Sequence, residues 1–116
     1  MMNCPQRLLA VALVSGFMAL VLGNAQADEE QWKLHHPRRA EVNKRLAIQH
    51  QRIHHDVKAG EMTHEQAAAL YKEDHQIRQQ EREMASQHGG HITKQEQATL
   101  NQQEHAVSQQ IRQQSE

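Results

Sequence analysis

From position 42 onward the large apolar residues recur almost only at helical intervals. Val42, Leu46, Ile53 and Val57 are spaced by 4, 7 and 4; Leu70, Ile77 and Met84 by sevens; Leu100, Val107 and Ile111 continue the pattern with Glu104 in register. Side chains at such spacings share one face of a helix of about 3.6 residues per turn. No stretch shows the alternation of β-branched residues that a half-buried strand requires. The expected fold class is therefore all-α.

Punctuation divides this stretch into three. Pro37 is tolerated in a first helical turn, where its missing N–H would have no partner anyway, so helix one is expected over Arg38–Lys58 with Gly60 as a left-handed stop. Thr63 stands three residues before Gln66, and Thr93 three before Glu96. That is the capping-box spacing, in which a hydroxyl and a reciprocal side chain satisfy two orphan backbone donors. Helix two then runs from Thr63 to the Gly89-Gly90 stop, and helix three from Thr93 to about Gln113. The two starts echo each other at an offset of 30 residues, with Met62, Thr63 and Leu70 matching Ile92, Thr93 and Leu100. Similar lengths and short turns predict a three-helix, up-down-up antiparallel arrangement occupying residues 38–114. Asp74 and Arg78 are spaced for an ion pair one turn apart.

The amino-terminal region reads differently. Leu8 to Gly23 is an apolar run behind the single charge of Arg7, and Ala25-Gln26-Ala27 follows it. This is the pattern of a secretory signal peptide over residues 1–27, cleaved after Ala27; the run is short for a retained membrane anchor. Cys4 precedes the apolar run, where a lipoprotein cysteine would have to follow it. Residues 28–37 are expected to be a charged lead-in. The remaining chain has no cysteine, which suits a bacterial periplasm better than a disulfide-stapled secreted mini-protein.

Composition narrows the function. Thirteen Lys and Arg stand against fourteen Asp and Glu, a balance that argues against a dedicated nucleic-acid binder. Beyond Ala27 there are three serines, no cysteine and no phosphate-cradling glycine loop, so the chain is read as a non-enzyme. Aligning Ile92 or Met62 with the eighth position of a calcium loop puts Ala85, Gln87 and Gly89, or His55, Val57 and Ala59, where oxygen ligands belong, which excludes calcium bound in that way. The glutamine pairs along helices two and three are expected on solvated faces.

Ten histidines are the compositional oddity. Imidazole is a common ligand of Zn, Ni and Cu, and His50 and His54 share a helix face, with His55 adjacent; His88 and His91 bracket the double glycine. Pooling the two groups would create a transition-metal site. Protonating all ten would also carry the chain beyond Ala27 from a formal charge of -2 to +8, the basis for an acid response.

The apolar seam is sparse, and Asp74 and Glu81 fall on it, so it is expected to be wet or partner-facing, with self-association or a partner compensating for the small core. The stretch from His36-Pro37-Arg38-Arg39 through Gly89-Gly90-His91-Ile92 to Leu100-Asn101 resembles a group of small secreted proteobacterial proteins, which implies export but no activity. Met62-Thr63-His64-Glu65-Gln66 and Ile92-Thr93-Lys94-Gln95-Glu96 resemble the LTxxQ motif of the periplasmic CpxP and Spy family, with Met62 and Ile92 in place of leucine and Glu96 in place of the second glutamine. That resemblance implies a helical, often dimeric, stress-linked chaperone or adaptor, some members of the family using zinc. Its partners would be unfolded proteins or an envelope sensor. The partner-facing residues would be Met62, Thr63, Gln66, Leu70, Ile77, Met84, Ile92, Thr93 and Leu100.

Overall fold

The computed structural model describes residues 25–115. Every regular element among them is helical: α1 at residues 25–35, α2 at Pro37–Lys58, α3 at His64–Ser86 and α4 at Lys94–Ser115. The proposed signal peptide lies outside the described residues except for its last three positions. No helix among the described residues is long and apolar enough to cross a membrane.

α1 belongs to a unit that ends at His35. The segment expected to be a charged lead-in is thus helical through residue 35. Its charges support that: Lys33 Nζ lies 3.6 Å from carboxylate oxygens of both Glu29 and Glu30, three and four residues back along the same face. Leu34 is exposed.

The second unit begins at His36. Pro37 takes the first helical position of α2, and His36 precedes it with no side-chain cap. Gly60, with φ +75°, ends the turn after α2 in the left-handed region that a side chain disfavours, while the Glu61 and Met62 amides close on the Asp56 carbonyl. Both capping boxes are complete. The Gln66 amide donates to Thr63 Oγ1 at 3.1 Å and the Thr63 amide to Gln66 Oε1 at 2.9 Å; the Glu96 amide donates to Thr93 Oγ1 at 3.1 Å and the Thr93 amide to Glu96 Oε1 at 2.8 Å.

α2, α3 and α4 pack against one another pairwise. Contacts between α2 and α4 advance together along both chains, from Glu41–Gln97 through Gln49–Glu104 to Asp56–Ser115. Contacts to α3 run the opposite way, from Arg39–Glu81 to His50–Asp74 on α2, and from Gln80–Gln103 to Glu73–Gln110 on α4. The core between them holds Val42, Leu46 and Ile53, Leu70 and Ile77, and Leu100, Val107 and Ile111, closed by Met62 and Ile92 from the turns. Val57 and Met84 are only half-buried beside it, and Ala85 takes the buried place at the end of α3. A helix of about 3.6 residues per turn drifts away from a strict seven-residue repeat, which carries the seam from position 84 to 85.

Two local expectations fail. Asp74 makes no hydrogen bond to Arg78, because position 74 faces the core and is 1 % exposed. The glutamines are not all solvated: Gln103 bonds across to Gln80 at 2.9 Å and Gln110 to Glu73 at 3.0 Å, so those at the helix–helix margins tie neighbours together.

Candidate functional site

The unusual chemistry of this molecule lies inside the seam. Positions 49 and 56 on α2, 74 and 81 on α3, and 104 on α4 continue the helical spacing of the apolar core, but they are Gln, Asp, Asp, Glu and Glu, and all five are buried. A polar group removed from water loses free energy unless a partner replaces the water. These five are served very unequally.

Three of them have partners. Glu81 accepts from Arg39 Nε at 2.8 Å, and the same guanidinium donates to the Gly90 carbonyl at 3.0 Å, fastening the start of α2 to the end of α3. Asp56 accepts from the Ser115 hydroxyl at 2.6 Å. Gln49 donates through Nε2 to the Glu104 carbonyl and to Ser108 Oγ, leaving its own Oε1 without a donor. Asp74 and Glu104 have none: neither oxygen of either carboxyl finds a hydrogen-bond partner among the described residues. They occupy equivalent places in the 30-residue echo, four residues after Leu70 and Leu100.

Burial sets the protonation of this pair. Loss of water pushes Asp74 up from 3.8 to about 7, with Glu73 adding to the rise and Arg78 opposing it. Glu104 is pushed up from 4.5 to about 8, again mainly by burial; Arg45 opposes, and the charges of Asp74, Glu41 and Glu81 add to it. His50 Nε2 stands 3.5 Å from Asp74, yet burial and then the charge of Arg78 lower the histidine. Near neutrality the contact therefore joins a partly protonated carboxyl to an imidazole whose protonated form is disfavoured, rather than a strong ion pair. Glu96 behaves oppositely, held below its ordinary value first by the Thr93 backbone N–H and also by the Thr93 hydroxyl and nearby His88.

The histidines proposed as metal ligands are dispersed. His50 packs against Asp74 and Tyr71, His54 is exposed, and His55 lies beside Asp56 on an open cleft. His88 stands 3.5 Å from Glu96, and His91 stacks on His36 with ring centroids 4.7 Å apart. Among the described residues no three potential donors come together. His36 marks the α2 end that meets His91, and His54 lies eighteen residues further along that helix, roughly 27 Å away at about 1.5 Å per residue, so the two groups cannot pool.

The residues assigned to a partner face are mostly internal. Met62, Leu70, Ile77, Ile92 and Leu100 lie in the core, Met84 is half-buried, and Thr63, Gln66 and Thr93 serve as helix caps. The seam is closed by the chain's own helices. The sequence pattern places Asp74, Glu81 and Glu104 on the seam but misses the Arg39–Glu81 tie and the isolation of Glu104; continuing the spacing of 4, 3 and 4 through Gln49 and Asp56 is the available signal for the remaining two.

The fold and site together define an all-α chain whose three mutually packed helices enclose five polar side chains, among them two carboxyls, Asp74 and Glu104, that no hydrogen bond satisfies. Comparison with protein-family models, curated proteins and solved structures finds no match to this chain.

Proposed function

We propose that this chain is a periplasmic, non-enzymatic helical binding protein, an up-down-up three-helix bundle that engages unfolded polypeptides by opening its own half-polar seam. The observation carrying this reading is the pair Asp74 and Glu104, buried in the core with no hydrogen bond to either carboxyl. A core containing such groups is worth less than an apolar one of the same shape, so its opening costs less free energy. The opened surface would present Leu70, Ile77, Leu100 and Val107 interleaved with acids, a face that can hold apolar segments and remain soluble. The capping boxes and their likeness to the LTxxQ motif support a stress-linked chaperone role, with self-association or an envelope sensor as the remaining modes of engagement.

The test is aggregation suppression of a reduced or heat-unfolded client by the purified chain at stoichiometric ratios. Suppression is expected, stronger at pH 8 than at pH 5.5, and largely lost in Glu104→Leu, which makes that seam position apolar. Absence of suppression at both pH values, or full suppression by Glu104→Leu, would overturn the opening reading.

A further inference from the structure

A second surface needs no opening. Three clefts open to solvent lie in a row along α2 and α4, of about 470, 180 and 490 Å³, the third bordered from α2 by Arg45 alone. The first and second share Ile48 and Arg52, and the second and third share Arg45 and His105, so they form one continuous groove. The α2–α4 contacts advance in parallel, so the groove follows both helices; from Asn101 to Ser115 it spans roughly 21 Å, about four helical turns.

Its charge is one-sided. Between Lys44 and Lys58 the only acid of α2 is Asp56, and between Gln97 and Ser115 the only acid of α4 is Glu104. Both are buried: Asp56 is bonded to Ser115, and Glu104 is raised toward its protonated form. The rim carries Arg45, Arg52, Arg112, His55 and His105. Arg45 pairs with Glu41 at 3.1 Å, whereas Arg52 and Arg112 form no ion pair among the described residues. Ile48, 46 % exposed, stands in the middle of this cationic strip.

We infer that the α2–α4 groove docks an acidic amphipathic helix of a partner protein. A groove running along two parallel helices fits a partner helix, Ile48 supplies an apolar anchor, and Arg52 and Arg112 flank it to receive carboxylates. A phosphate backbone or an anionic bilayer would use the arginines but gain little from a single exposed aliphatic side chain among them.

The experiment is fluorescence anisotropy of a labelled synthetic helix of about four turns, with leucines on one face and glutamates flanking them, titrated with the full chain. A control peptide carries lysine at each glutamate position. The glutamate peptide is expected to bind at least about tenfold more tightly than the control, and to weaken about tenfold or more in Arg52→Glu/Arg112→Glu and several-fold in Ile48→Asn. These positions are exposed, so circular dichroism and thermal melting should stay close to the parent and separate lost binding from lost fold. Equal affinity for the two peptides, or indifference to the arginine substitutions, overturns the inference. Tighter binding of a DNA duplex or of phosphatidylglycerol vesicles, unaffected by Ile48→Asn, overturns it in favour of a phosphate-binding surface. Asp74→Leu, at the stranded acid that does not line the groove, separates this site from the proposed client-binding mode: it should retain peptide binding while losing client suppression.

Discussion

Glu104 on α4 is 1 % exposed, and neither of its carboxyl oxygens meets a donor, so at neutral pH the folded chain keeps a proton there that the unfolded chain would release, at a cost in stability. Its folded value is raised from 4.5 to about 8, so the folded state binds more protons between those limits. The contribution of this group to stability is therefore highest below about pH 4.5, falls as pH climbs toward 8, and levels off beyond. At about 1.4 kcal/mol per pH unit, the loss accumulated by pH 7 is about 3 kcal/mol. Leucine at this position has a similar volume and no charge, and the bond from Gln49 Nε2 survives because it goes to the backbone carbonyl. Glu104→Leu should thus raise the unfolding free energy at pH 7 by roughly 2–4 kcal/mol, and the melting temperature by roughly 10–20 °C for a unit of this size. Asp74 remains, raised to about 7, so the variant should still lose stability between pH 4 and 7 but stay nearly flat from pH 7 to 9, where the parent continues to fall. Urea denaturation followed by circular dichroism at pH 5, 7 and 9 measures this. A variant less stable than the parent at pH 7, or a parent whose stability is level across that range, would refute the reasoning.

Two further substitutions probe the rest of the architecture. Arg39→Ala strands Glu81 inside the core and removes the donor to Gly90, and should cost about 3 kcal/mol at pH 7 by urea denaturation; adding Glu81→Leu should restore most of it, which a purely local effect of Arg39 would not permit. Thr63→Ala and Thr93→Ala each remove one capping box and should cost about 1 kcal/mol, additively in the double variant because the two caps share no partner.

What could be read along the chain was the part governed by short-range physics. Thr63 with Gln66, Thr93 with Glu96, the glycines at 60, 89 and 90, and the recurrence of Val42, Leu46, Leu70, Ile77 and Leu100 each act within a few residues, and together they specify three helices and their ends. Position 84 and the helical state of residues 25–35 marked the edge of that reach, where helical drift and side-chain pairs one turn apart prevailed over a strict repeat and a reading from charge. The behaviour of the acids lay beyond it. Whether a carboxyl at positions 74, 81 or 104 is solvated, paired or stranded depends on what two other helices place over it, and the ties that answer this join Arg39 to Glu81, Gln49 to the Glu104 carbonyl and Asp56 to Ser115 across 42 to 59 residues. The histidines follow the same rule: their number is a property of composition, but two groups on one helix and the turn at its far end stay apart because a helix is a rigid rod, and only its packing shows which imidazoles meet.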